Sequence, residues 1–336
     1  MIDEALLRIV STHAGAPQAF AQRPTPMTGG YWAAIFSFEL AEPPDELRGP
    51  LVLRVMPSPG GAVVETIVQR TVANHGYPTP RVVVDGTDEA VGGAYMVMQR
   101  VEGVALLAGL SIGRTLWTLP KTVRRVASQL SVASVRLHDL DPQPVIDALD
   151  EADVDVASLG VAGRINEIRG AAERSLAGFD ELLAWLDRGR PALTPAVVCH
   201  GDIHPFNMLM TDDDSFYVLD WTNANLCRRE LDVGFTAALL QCAPIDVPSV
   251  AKKPLGALTG ALARRFIDTY RRMAPINLDV VEWFEVLQYG RCLAAVATTS
   301  TDDAIIGRSH PFRISAPAMI RQLRIITGVQ IVLPAA

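Results

Sequence analysis

The sequence predicts an α+β protein: a small antiparallel sheet with one main helix in the first hundred residues, then a larger, mostly helical part containing an embedded β-hairpin. Three observations predict it. Short runs rich in β-branched and aromatic residues (Tyr31–Leu40, Leu51–Met56, Arg81–Val84 and Tyr95–Arg100) are separated by Gly/Pro/Asp turns. Past Gly103 the apolar residues recur at helical spacing instead. Within that region two short apolar runs, Asn207–Met210 and Phe216–Trp221, flank the polar turn Thr211–Ser215. A chain of 336 residues is long enough for two cores. The change of period puts the expected boundary at residue 103, giving domains 1–103 and 104–336.

The elements follow in order. Residues 1–20 suit a short amphipathic helix. Pro24–Gly30 reads as a loop that ends in a glycine turn before the first strand. The strand runs 31–40 and 51–56, joined by a Pro/Asp/Gly turn, imply a hairpin that Pro57–Gly61 breaks. Val64, Ile67, Val68 and Val72 then mark a helix, which Gly76 and Pro78 end. In the second part Val123, Val126, Ala127, Leu130 and Leu137 mark a long helix. Residues 160–188 form another helical region, and Ala196–Cys199 reads as a strand. Val280, Trp283, Phe284 and Leu287 share one apolar helix face.

Composition excludes several classes. Hydrophobic residues make up 49% and charged residues 20%, which is globular rather than disordered. The net charge is −7, and residues 1–104 hold 7 basic against 11 acidic side chains. No basic stripe stands out, so nucleic acid is not an expected partner. The start, MIDEALLRIV, lacks the order of a signal peptide, and no apolar run matches a bilayer span. A soluble cytoplasmic protein is expected. Cys199, Cys227, Cys242 and Cys292 form no C-x-x-C pair and suit reduced core thiols. The composition defines no oligomeric state.

The chemistry concentrates in His200-Gly-Asp-Ile-His-Pro-Phe-Asn207, followed by Phe216-Tyr-Val-Leu-Asp-Trp221. Asp202 lies five residues before Asn207, and Asp220 lies 13 beyond Asn207 at the end of an apolar strand. Phosphoryl transfer needs such a set. One carboxylate orients and deprotonates an acceptor hydroxyl, while an amide oxygen and a second carboxylate hold magnesium on the nucleotide phosphates. The five-residue spacing matches the catalytic loop of protein kinases.

The pattern H-G-D-x-H-x-x-N, then an apolar strand ending in D-W, resembles the aminoglycoside phosphotransferase family, related in fold to choline kinases and protein kinases. The resemblance covers roughly residues 20–300 and is strongest at 197–235. It implies a protein-kinase-like bilobal fold and transfer of the ATP γ-phosphate to the hydroxyl of a small-molecule alcohol, with Mg2+ as metal and GTP also compatible as donor. By the same resemblance Asp202 is the catalytic base, Asn207 and Asp220 are metal ligands, and Gly29 and Gly30 cover the phosphates. Arg54 replaces the usual phosphate-binding lysine, since no lysine precedes Lys121, and Glu65 pairs with it. Met98, Gln99 and Val101 belong to the connection that meets the adenine. Asp232 braces the catalytic loop.

Each residue has a plainer role beside this one. His200 suits a structural hydrogen-bonding position. His204 either donates near the γ-phosphate, where protein kinases have lysine, or caps the turn. Asp212–Asp214 reads as a solvated turn rather than a metal cluster, His138 as a helix-end residue with a structural partner, and Trp221 as packing. Gly201-Asp-Ile-His204 also resembles the G-D-x-H element of metallophosphoesterases, but no Asn-His pair follows it. A catalytically silent nucleotide-binding regulator is the other alternative. The acceptor stays open: aminoglycosides, choline, homoserine, thiosugars and macrolides all occur in the family. Asp279, Glu282, Glu285, Asp302 and Asp303 stand here among Arg291, Arg308 and Arg313.

Overall fold

The β-branched and aromatic runs of the first hundred residues build an antiparallel five-stranded sheet in order β1-β2-β3-β5-β4. Its strands are β1 (Phe20–Pro26), β2 (Ala34–Leu40), β3 (Leu51–Met56), β4 (Val82–Asp88) and β5 (Gly93–Gln99). This is a computed structural model, and it describes residues 2–27, 33–56, 59–107, 112–155, 160–192, 195–213, 215–299 and 310–334. β3 is central and all six of its residues are buried. Its register pairs Arg54 with Ile35 on one side and Met96 on the other.

Helix α1 (Ile2–Ala14) lays Leu6, Ile9 and Val10 into a core with Phe38, Leu53 and Val97. Two expectations change here. Pro24–Pro26 lie in β1 and not in a loop. β1 is an edge strand, where proline's missing N–H removes no interior ladder bond. Helix α2 (Pro59–Asn74) begins inside the segment expected to break the chain. Proline is tolerated in a first helical turn because that N–H has no helical acceptor.

The remaining elements are β6 (Val104–Ala105), α3 (Ile112–His138), α4 (Gln143–Glu151), α5 (Val161–Glu173), α6 (Phe179–Arg188), β7 (Val197–Cys199), β8 (Met208–Met210), β9 (Phe216–Val218), β10 (Asn225–Cys227), α7 (Glu230–Gln241), α8 (Ser249–Met273), α9 (Leu278–Thr298) and α10 (Pro311–Thr327). The helical region expected at 160–188 divides into α5 and α6. Ser175 and Gly178 hold left-handed backbone between them, which an α-helix does not pass through. β8 and β9 neighbour each other as the expected hairpin.

The chain divides into two units. One comprises Met1–Val104, Gln143–Val154 and Leu209–Ala224, so it takes in the sheet, α2, α4 and most of the hairpin. The other comprises Ala105–Pro142, Asp155–Met208 and Asn225–Ala336. In the second unit Phe179, Phe235, Trp283, Phe284 and Leu287 form part of one buried core. Gly234 lets α7 and α9 meet, since a Cβ there would lie 2.7 Å from both Phe284 Cβ and the Val281 carbonyl oxygen. The four cysteines are free and buried. Among the described residues no helix is long and apolar enough to cross a membrane.

Candidate active site

The loop after β7 is shaped by polar contacts with helix α7 beneath it. Asp232, in the first turn of α7, accepts from the His200 amide at 2.9 Å and the Gly201 amide at 2.6 Å. One turn further along, Thr236 Oγ1 donates to the Ile203 carbonyl at 2.8 Å. Gly201 has φ 75°, a left-handed conformation that glycine adopts without a Cβ penalty. Behind Asp232, His138 Nε2 lies 3.0 Å from Oδ2, and His138 Nδ1 meets the Tyr270 hydroxyl at 2.8 Å. Burial works against ionising Asp232, yet the hydrogen bond from His138 and the charges and amide around it hold its pKa below the ordinary value. The brace expected of Asp232 and the structural role expected of His138 are therefore one buried network. His138, Cys199 and Asp232 lie close enough to hold a metal. Both His138 ring nitrogens are already engaged, and the Cys199 thiol, pushed well up by burial and by Asp232, stays protonated. This cluster is a brace.

Above it, Asp202 is partly exposed. His200, fully buried, accepts from the Asp202 amide through Nδ1 at 3.2 Å. Asn207 Nδ2 donates to the Asp202 carbonyl at 3.1 Å and to Asp202 Oδ2 at 3.3 Å. With its NH2 turned to Asp202, the amide oxygen is the atom Asn207 has for another partner. His204 Nδ1 accepts from the Phe206 amide at 3.2 Å, so a neutral ring carries its proton on Nε2. That Nε2 lies 3.8 Å from Asp202 Oδ2. The contact with the Phe206 amide is the turn-capping geometry considered for His204.

In the other unit, Arg54 on β3 is buried with Glu65 of α2. Arg54 Nε lies 3.0 Å from Glu65 Oε1, an ion pair whose N–H is not aimed along the contact. Arg54 Nη2 donates to Asp220 Oδ1 and to Thr222 Oγ1, both at 2.8 Å. Thr222 Oγ1 also lies 2.6 Å from Asp220 Oδ1 and 3.2 Å from Glu65 Oε2. Burial raises the Glu65 pKa to about 7 against the pull of Arg54. Asp220 itself has φ 65°, uncommon for a residue with a side chain. Trp221 is fully buried and donates to Thr79 Oγ1 at 2.8 Å, which is the packing role expected of it. Asp213 accepts from Thr211 and Ser215 inside the exposed turn, and Asp214 lies outside the described residues.

Gly29 and Gly30 also lie outside the described residues. Met98 and Gln99 are the last residues of β5, where the Gln99 amide is taken by the Arg81 carbonyl at 3.0 Å and the Met98 sulfur faces Gln69 Nε2 at 3.5 Å. Val101 follows the strand. Sequence reasoning missed Thr222, Tyr270 and Thr236. Each acts through a contact made only on folding, and no spacing rule singles out a lone hydroxyl.

Residues 44–276 match the profile of the phosphotransferase enzyme family (APH), and the chain belongs to that family. An aminoglycoside 3'-phosphotransferase of Streptomyces fradiae is 31% identical over 176 residues, which are 50% of this chain. The match spans 60% of that relative's length. Among solved structures, a candidate aminoglycoside phosphotransferase from Ralstonia eutropha JMP134 superposes with TM-score 0.60 at 17% identity, over 97% of this chain and 98% of the other. A thermostable mutant of aminoglycoside phosphotransferase APH(4)-Ia, in ternary complex with ADP and hygromycin B, superposes with TM-score 0.55 at 17% identity, over 95% and 98%. At these identities the superpositions establish the protein-kinase-like fold.

Proposed function

We propose that this protein is a cytoplasmic small-molecule kinase that transfers the γ-phosphoryl group of ATP to an alcohol. The observation that carries the reading is the Asp202 carboxylate, set in a braced loop and touched by Asn207 Nδ2 at 3.3 Å. Residues 1–103 would hold the nucleotide, and 104–336 the catalytic loop and acceptor. Gly29 and Gly30 would lie over the phosphates, with Arg54 gripping them, and the chain around Met98, Gln99 and Val101 would meet the base. GTP fits the same groups.

Carboxylate and amide oxygens form a hard donor set, the kind Mg2+ takes. Asn207 immediately precedes β8 and Asp220 follows β9 by two residues, so they flank one hairpin in the sequence. Asn207 and Asp220 would hold the magnesium, which neutralises phosphate charge when bound. Asp202 orients the acceptor hydroxyl and takes its proton as the new O–P bond forms. His204, with its proton on Nε2, would donate near the γ-phosphate. Arg54 and Thr222 fix Asp220 Oδ1. Positioning and electrostatics supply most of the rate.

Replacing Asp202 by alanine should lower ADP release by roughly 10²–10⁴-fold, the range for loss of an acid–base group, while nucleotide affinity stays near the parent's. Full activity in that variant would refute the assignment. Tight nucleotide binding with no turnover on any alcohol would favour the silent regulator instead.

A further inference from the structure

We propose that the acceptor presents an apolar ring face beside its reacting hydroxyl and carries no cationic group near it; Phe206 receives the ring, and Arg164 and Arg291 set the charge. The proposal rests on the reading of Asp202 as the residue that orients the hydroxyl.

Two independent observations lead to it. Phe206 is 65% exposed, although it sits in the loop between Asp202 and Asn207. A single exposed phenylalanine is unremarkable on a surface at large, but this one is held in place. Its amide is tied to His204 Nδ1 at 3.2 Å, and its ring meets the His204 ring edge-on with centroids 6.2 Å apart. The same imidazole directs Nε2 toward Asp202 Oδ2. The phenyl ring therefore packs on the imidazole that neighbours the carboxylate, and an alcohol brought to Asp202 would have His204 and then the Phe206 ring as its next neighbours. Such a ring favours an apolar face and offers no hydrogen bond to a polyhydroxylated one.

The second observation is charge. Arg164 of α5 is buried. Arg291 of α9 is fixed by Glu167 Oε2 at 2.8 Å, by Gln288 Oε1 at 3.0 Å and by the Phe235 ring 5.5 Å from its guanidinium carbon. Arg164 Nη1 shares the same Glu167 carboxylate at 3.8 Å. Burial, then the neighbouring Arg291, press the Arg164 pKa down to about 9, while Glu167, Asp202 and Asp232 act the other way. Arg164 thus stands within the field of the Asp202 carboxylate, with Arg291 beside it on the shared Glu167. An added polycation meets repulsion there, whereas a neutral or anionic alcohol does not.

The test uses the full chain with Mg-ATP and four alcohols: 2-phenylethanol (neutral, ring), phenyllactate (anionic, ring), ethylene glycol (neutral, no ring) and hygromycin B (cationic). Direct binding is followed by calorimetry and turnover by ADP release. At least one ring alcohol should bind and accelerate ADP release, and the other two should do neither. Phe206→Ala should raise the ring alcohol's KM by roughly tenfold, the scale of one exposed aromatic side chain's burial, with nucleotide Kd unchanged, and Phe206→Tyr should restore it. Arg164→Gln should lower the preference for phenyllactate over 2-phenylethanol several-fold, a ratio that general loosening would not move. Turnover of hygromycin B, absence of binding by both ring alcohols, or a KM indifferent to Phe206→Ala overturns the proposal. The kinase reading fails separately, through absent ATP binding or ADP release that survives Asp202→Ala.

Discussion

Replacing Glu285 by glutamine should stabilise the helical unit, and by more as pH rises. The side chain sits on α9, and its pKa is raised from 4.5 to about 8, first by burial and then by the charge of Glu282, with no cation offsetting either. The folded protein therefore keeps a proton that the unfolded chain has released, so unfolding free energy falls as pH increases between these two values. At pH 7 the interval is roughly 2.5 pH units, which at about 1.4 kcal/mol each is a penalty of about 3 kcal/mol. It vanishes near pH 4.5 and levels off at about 5 kcal/mol above pH 8. Glutamine keeps the shape and cannot ionise. Urea unfolding followed by the fluorescence of the tryptophans, Trp283 among them, gives the difference between the two proteins near pH 5, 7 and 8.5. The gap should open steadily across that series. A constant gap, or one that closes toward high pH, would refute the claim that burial of this carboxyl is uncompensated.

Three further changes probe the site and its support. Thr222→Val removes the hydroxyl that bridges Arg54, Glu65 and Asp220. It should weaken Mg-nucleotide affinity about tenfold, the scale of one or two hydrogen bonds to charged groups, and Thr222→Ser should recover most of it in a fluorescence titration. Asp232→Asn deprives two loop amides and His138 of their anionic acceptor, costing about 3–5 kcal/mol in chemical unfolding at neutral pH. Because the folded Asp232 pKa lies below the unfolded value of 3.8, that deficit should fade as pH falls below about 4. Gly234→Ala gains about 1 kcal/mol of helix propensity, but its methyl meets backbone and Cβ atoms at 2.7 Å. Overpacking of about 1–3 kcal/mol or more should prevail, and a raised melting temperature would count against the tight α7–α9 contact.

Much of the fold was legible because its signals are local. The β3 run Leu51–Met56 is apolar except for Arg54, since that strand is buried along its whole length, and its bounds match those expected from sequence. Val280, Trp283, Phe284 and Leu287 mark the core side of α9, with Trp283, Phe284 and Leu287 buried and Val280 packed partly against them. The loop 200–207 stood out because its chemistry requires particular residue types at fixed separation. What stayed hidden depends on distance in space. Pro24 and Pro26 signal a loop until β1 proves to be an edge. Thr222 is 168 residues from Arg54 in the chain, yet its oxygen lies 2.8 Å from that guanidinium. Arg164 is one arginine among 27 in the sequence, and only folding places it beside Arg291.

The fastening of the loop 200–207 onto α7 has a consequence for how such a protein diversifies. Asp232 and Thr236 grip three backbone groups of the loop from a single helix face, so the Asp202 carboxylate takes its attitude from main-chain anchorage. The helices α5 and α9 supply Arg164 and Arg291, which share the Glu167 carboxylate. Side chains beside the loop can therefore change without altering the main-chain contacts that hold it.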